Sequence, residues 1–251
     1  MEYLQQKNLR EIEGLNQRGG PTLSFVDLVR AGTMSPELVA YCWTAIARGA
    51  SFLTAAGPGG AGKSTVLANL LGLLPPHEEI VTVTDPQIVD DTLPSCYLAH
   101  EIGAGHWYGY IWGRQVADFF GLMAGGSRIA GCLHADELDE LVRILTTPPL
   151  EVPLDHVNLL DLLLFIHVER GYRRRVVQLW ESTDSGHRLA FAWNAETDTI
   201  TQTGASVLLP RLGATKADYE LRLNQVNQIL ADGEESFEGV RRGVLRAYAQ
   251  Q

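Results

Sequence analysis

Long apolar runs, paired cysteines and positive charge are what this sequence has least of, and each shortage closes a class of function. No uninterrupted apolar stretch approaches the roughly eighteen residues of a membrane-spanning helix, and Met1 to Lys7 contain no apolar leader core, so neither span nor secretory leader is expected. Cys42, Cys96 and Cys132 are odd in number, far apart and without Cys-x-x-Cys spacing. They read as reduced core residues of a cytoplasmic protein, not as a disulfide framework or zinc site. A net charge of −10 leaves no basic excess to neutralise nucleic-acid phosphates, so general nucleic-acid binding is not expected. No internal repeat or low-complexity segment is visible. At 251 residues the chain is long enough for one sizeable α/β core with an appendage.

Against the scarcity of lysine, which occurs only as Lys7, Lys63 and Lys216, one lysine stands in a telling place. Gly57-Pro58-Gly59-Gly60-Ala61-Gly62-Lys63-Ser64-Thr65 fits the phosphate-binding pattern G-x-x-x-x-G-K-[ST] at every fixed position. At this composition a chance match is expected roughly once in three hundred such chains. The flanks agree, since Ser51 to Ala56 reads as a buried strand and Val66 to Leu74 as a helix. Glycines let backbone N–H groups converge on phosphate oxygens, and the helix start directs its positive dipole end at the same anion. Lys63 is then expected on the β- and γ-phosphates and the Ser64 hydroxyl on Mg²⁺.

The remaining chain reads in order. Residues 1–20 are polar and read as a frayed helix or arm; Ser24 to Arg30 reads as a short helix. Ser35 and Pro36 start another, with Leu38, Val39, Cys42 and Ile46 inward. Ile80 to Asp85 and Cys96 to Glu101 read as strands that each end in an acid, and ligands of open α/β sheets sit at such carboxyl ends. Val116, Phe119, Phe120 and Met123 mark an amphipathic helix, Arg128 to His134 a strand, and Ala135 to Leu145 a helix. Alternation to this point implies a mainly parallel sheet. After Pro148-Pro149, four strand-like runs from Leu162 to Thr203 imply an antiparallel meander, and two helices close the chain.

Several near-motifs are weighed and set aside. His100-Glu101 with His106 is not H-E-x-x-H. Thr215-Lys216-Ala217-Asp218 imitates a guanine-reading motif but reads as a helix cap, so ATP is preferred over GTP. Arg173-Arg174-Arg175 follows a turn and reads first as a solvated edge, with contact to a partner or phosphate as the alternative; His106, Trp107, Tyr108, Tyr110 and Trp112 read first as core or lid packing, with cover for the nucleotide base or a neighbouring subunit as the alternative.

Taken in order, the phosphate loop, the strand ending in Asp85, Cys132-Leu133-His134-Ala135 and Gly171 to Val177 resemble the motor domain of the secretion ATPases of type II, type IV and Tad pilus systems over about residues 24–250. The resemblance implies a RecA-like P-loop fold, with Asp85 as the second acid of a Glu-Asp pair, Glu101 as the Walker B glutamate on water or Mg²⁺, and His134 as a γ-phosphate sensor. It also implies a hexamer. Thr84 stands where that family has its Glu, Gly103 near where it has an arginine, and only fifteen residues separate Asp85 from Glu101.

The expected organisation is therefore an α/β P-loop domain, mainly parallel and flanked by helices, followed by an antiparallel meander and a helical pair. Its parts are an arm (1–23), a nucleotide-binding core (24–150), strands that complete it (151–210) and C-terminal helices (211–251). The expected function is a cytoplasmic Mg·ATP-hydrolysing ATPase, a homo-oligomer that acts with a protein partner, peripherally to a membrane machine where it works as a motor. The alternatives are a weakly hydrolysing nucleotide-dependent regulatory module and, third, a small-molecule kinase, for which the region after Leu145 offers strands instead of an arginine-rich lid.

Overall fold

A computed structural model describes residues 2–16, 19–57, 59–84, 94–169 and 172–250. The elements run α1 (Glu2–Gly14), α2 (Phe25–Arg30), α3 (Pro36–Ala47), β1 (Phe52–Ala55), α4 (Lys63–Leu71), β2 (Glu79–Thr82), β3 (Ser95–Ile102), β4 (Tyr110–Ile111), α5 (Arg114–Ala124) and β5 (Arg128–Leu133). There follow α6 (Leu138–Thr146), α7 (Leu154–Val157), β6 (Leu162–Val168), β7 (Arg174–Thr183), β8 (Gly186–Asn194), β9 (Thr199–Gln202), α8 (Leu208–Arg211), α9 (Lys216–Ala231) and α10 (Phe237–Ala249). Among the described residues no helix is long and apolar enough to cross a membrane.

The strands form one mixed sheet in the order β2-β3-β5-β1-β6-β7-β8-β9, with β4 on the end of β3. β2, β3, β4, β5, β1 and β6 pair in parallel; β6 to β9 pair antiparallel. β6 is the pivot, with β1 parallel on one side and β7 antiparallel on the other. Its first five residues are buried on both faces, which explains why an apolar run assigned to the meander also joins the parallel half. Alternation splits the side chains between two cores. Phe52, Leu98, Cys132 and Leu164 face α1 to α4 and the C-terminal helices, whereas Leu53, Ala99, Leu133 and Phe165 face α5 to α7. The result is three layers, helices on both faces of the sheet.

Local chemistry starts the helices. Ser24 and Asp27 form a reciprocal capping box on α2, and Thr215 and Asp218 form another on α9, so Thr215 to Asp218 does act as a cap. Ser35 caps α3 with Pro36 in its first turn. Elements as short as β4, α7 and α8 fall below what periodicity detects.

The first helix is not frayed. Asn8 in α1 is buried, donates from Nδ2 to the Glu78 carbonyl (2.8 Å) and accepts from the Ile80 N–H at Oδ1 (2.9 Å). One side-chain amide thus completes the outer edge of β2, where a further strand would otherwise pair. Asn8→Ala leaves both backbone groups unpaired. We expect it to destabilise the fold by about 2 kcal/mol and to speed amide hydrogen exchange at Ile80; unchanged exchange there would show that the edge does not depend on Asn8.

Candidate functional site

The carboxyl ends of β1, β3 and β5 lie side by side because the three strands are parallel neighbours in register, Ala55 opposite Leu133 and Ala99 opposite Gly131. From β1 the chain turns through the glycine-rich loop into α4. Gly60 and Gly62 have φ of +82° and +100°, a region that strains any side chain. Gly57 is needed for a different reason, close approach: a Cβ there would lie 2.2 Å from the Asp136 carboxylate, to which the Gly57 N–H donates at 2.7 Å.

Lys63 opens α4 and is 6% exposed. Its Nζ lies 3.2 Å from both ring nitrogens of His134 and 3.7 Å from Glu101 Oε2. His134, first beyond β5, approaches the Gly57 carbonyl with Nδ1 at 2.8 Å. A carbonyl only accepts, so this bond puts the imidazole proton on Nδ1 and leaves Nε2 as the acceptor for Lys63. Glu101, near the end of β3, is buried. Desolvation raises its carboxyl pKa above the usual range, opposed by the charge of Lys63 and then by His134. Glu101 Oε1 is buried and, among the described residues, has no hydrogen-bond partner. The adjoining His100 is pushed down to about 4 by burial and is neutral near pH 7.

Ser64 and Thr54 hydroxyls both reach the thiol of Cys132, which burial pushes up to about 12, so it stays a thiol at neutral pH. Thr65 is half-buried, its carbonyl accepting from Asn69 Nδ2 at 2.8 Å. Gly59 and Ala61 line the same loop. Pro58 and Asp85 lie outside the described residues.

A cavity of about 700 Å³ opens over Gly59 to Thr65. Lys63, Glu101 and His134 line its floor with Arg174 at its rim, and Leu23 and Asp27 line it from the N-terminal segment. The structure thus brings Lys63, Glu101 and His134 together. Asp136 was missed, since it belongs to no spacing rule; Arg174 sits in a run read first as a solvated edge, with contact to phosphate as the alternative.

That edge reading needs correction. Arg175 is buried and pairs through two nitrogens with Asp198 at 2.7 and 2.8 Å, and Arg174 donates to the Gly60 carbonyl. The hydrogen bonds from Arg175 and Trp193 hold the Asp198 carboxyl far below its ordinary range. The aromatic segment also differs from core packing: Trp107, Tyr108 and Trp112 are exposed, while β4 pairs with the end of β3 and Tyr108 meets His100 edge-on. Arg128 is buried, bonded to the Ile46 carbonyl and paired with Glu78, so it has no access to the cavity.

The raised pKa of Glu101 has a signed consequence. A carboxyl whose folded pKa exceeds its unfolded value costs no stability below the unfolded value and costs progressively more as pH rises through the folded one. Glu101→Gln removes that cost. We therefore expect the thermal midpoint of Glu101→Gln to exceed that of the wild type at pH 7 and the gap to shrink toward pH 4; a gap independent of pH would show that Glu101 is not held against desolvation.

No protein-family model matches the chain. It is 25% identical over 219 residues to the uncharacterized protein MJ1287 of Methanocaldococcus jannaschii, covering 74% of this chain and 81% of that one. It is also 25% identical over 234 residues to the uncharacterized protein MJ0900 of the same organism, covering 79% of this chain but only 42% of that longer one. Among solved structures it is similar to the VirB11 ATPase of the Brucella suis type IV secretion system, crystallised with sulphate, at a TM-score of 0.41 and 14% identity over 62% of this chain and 54% of that one.

Proposed function

We propose that this chain is an ATP-binding P-loop ATPase that hydrolyses Mg·ATP to drive a conformational change. The observation that carries the proposal is the placement of the G-x-x-x-x-G-K-S loop between β1 and α4, with Lys63 converging on Glu101 and His134 at the ends of neighbouring strands.

In this reading the loop N–H groups, the start of α4 and Lys63 hold the phosphates. Glu101 orients the attacking water and accepts its proton, a role its raised pKa suits. Water oxygen bonds to the γ-phosphorus, the bond to the β–γ bridging oxygen breaks with its electron pair leaving on ADP, and the proton passes by way of Glu101 to solvent. His134, held on the Gly57 carbonyl, presents Nε2 toward the lysine and senses whether a γ-phosphate has taken that lysine. Asp85 is assigned a supporting carboxylate role.

The donor set fits Mg²⁺. Glu101 Oε1 is a buried carboxylate oxygen without a partner, the Ser64 hydroxyl lies at the start of α4, and no cluster of three His, Cys, Asp or Glu able to hold an ion by itself is found among the described residues. That is the kind of site in which Mg²⁺ keeps its waters and takes the remainder of its ligands from substrate phosphate. When bound, Mg²⁺ supplies neutralisation of charge on the β- and γ-phosphate oxygens. A cytoplasmic homo-oligomer working with a protein partner is the setting this reading implies.

The test is phosphate release from Mg·ATP over a range of protein concentration. Lys63→Ala is expected to weaken ATP binding roughly tenfold or more, and Glu101→Gln to keep binding while lowering turnover by about 10²–10³-fold. Should ATP bind through Lys63 with wild-type turnover no faster than that of Glu101→Gln, the regulatory binding module replaces the ATPase.

A further inference from the structure

Three successive arginines follow the β6–β7 turn, and the structure gives them different tasks. Arg175 is buried on Asp198, and Arg173 lies 3.9 Å from the same carboxylate. Arg174 between them is exposed and, among the described residues, pairs with no acid. Its Nε and Nη2 instead point at the carbonyl of Gly60, at 3.3 and 3.1 Å, in the middle of the glycine-rich loop.

The hairpin fixes this placement. Arg174 is opposite Val168 at the first pair of the ladder, and the turn is closed by Glu169 N–H to Arg173 carbonyl (2.7 Å) and Tyr172 N–H to Glu169 carbonyl (3.1 Å). Tyr172 has a φ of 63°, uncommon for an aromatic residue and tolerated here at the rim of the cavity. The stem of Arg174 runs so close to the loop that a Cβ on Gly62 would meet its Cδ at 3.0 Å. Two donors of a five-donor guanidinium therefore share one neutral oxygen, while the charge is balanced by no partner. A phosphate oxygen is a stronger acceptor than a peptide carbonyl, and the planar fork of arginine matches it.

We propose that Arg174 is a substrate-contacting residue: it supplies, from within the same chain, the guanidinium that binds the terminal phosphates of a nucleoside triphosphate in the loop cavity. The inference rests on the nucleotide reading above. In the absence of nucleotide the side chain rests on Gly60; with nucleotide it exchanges that carbonyl for phosphate. The hairpin thus offers a guanidinium to the loop from the same chain.

The experiment compares equilibrium binding of ATP and ADP, with kcat and KM for phosphate release, in the wild type, Arg174→Ala, Arg174→Lys and, as reference, Lys63→Ala; thermal midpoints check folding. Arg174→Ala is expected to weaken ATP roughly 10- to 100-fold and ADP far less, and to lower kcat, with Arg174→Lys recovering only part of the loss. Equal weakening of ATP and ADP with full recovery by lysine would make Arg174 a brace for the loop and overturn the proposal, as would no change at all. If Lys63→Ala binds ATP like the wild type, or the wild type binds neither nucleotide, the nucleotide reading fails and the proposal with it. Loss in Lys63→Ala beside wild-type behaviour in Arg174→Ala overturns the proposal alone.

Discussion

The peptide groups flanking Gly57 are held from one direction by one short segment: Asp136 takes its N–H and His134 donates to its carbonyl. The candidate site depends on this two-point clamp. β1 and β5 are already in register at Ala55 and Leu133, so both chains leave the sheet at the same level. Two hydrogen bonds then tie the first turn of the glycine-rich loop to the β5–α6 connection, and a side chain on residue 57 would break the closer of them. Any displacement of the loop by a bound anion is therefore felt at His134 and Asp136, and from there at α6, whose first turn is joined to Asp136 through Glu140 accepting from its N–H.

Charge is distributed around the clamp unevenly. Lys63 is buried, its ammonium beside one carboxylate at 3.7 Å and the imidazole of His134, and Glu101 gives only one of its oxygens to that pairing. Polar burial elsewhere in the molecule is arranged differently. Burial works against the ionised form of Glu181, yet hydrogen bonds from Tyr41, Ser206, Arg188 and the Leu208 N–H hold its carboxyl below the usual range. Arg241 spends its guanidinium on the Gly72 and Leu74 carbonyls and on Gln5. The Arg128–Glu78 pair leaves some atoms unpartnered but is a closed pair at 3.1 Å. Glu101 differs in that its unpartnered oxygen belongs to a residue lining a cavity, the situation in which an incompletely satisfied group marks a place for a ligand or water.

How much of this was legible beforehand follows from which interactions are local. The glycine-rich loop and the caps at Ser24, Ser35 and Thr215 are written in neighbouring residues, and motif and cap chemistry recover them. The convergence of Glu101 and His134 on Lys63 needs the strand order, which no local pattern carries; there the family resemblance supplied the expectation. Asn8 and Arg175 were misjudged because each is polar. A polar residue reads as solvent-facing until a distant partner is known, and here the partners are the Ile80 N–H and Asp198. Asp136 escaped for the same reason, since its partner is a backbone N–H of the loop.

The loop is thus bounded on two sides by different kinds of contact. On the β5 side, Asp136 and His134 make short, well-directed bonds to Gly57, backed by a strand in the centre of the sheet. On the β7 side, Arg174 makes longer bonds to a single carbonyl from an exposed hairpin. The two sides differ in bond length as well as in backing: the Gly57 peptide groups are held at 2.7 and 2.8 Å, the Gly60 carbonyl at 3.1 and 3.3 Å. Because Arg174 is followed directly by Arg175, which is buried, paired with the exposed Asp198 and bonded to the Ala31 carbonyl, the strand is anchored one residue beyond the exposed side chain.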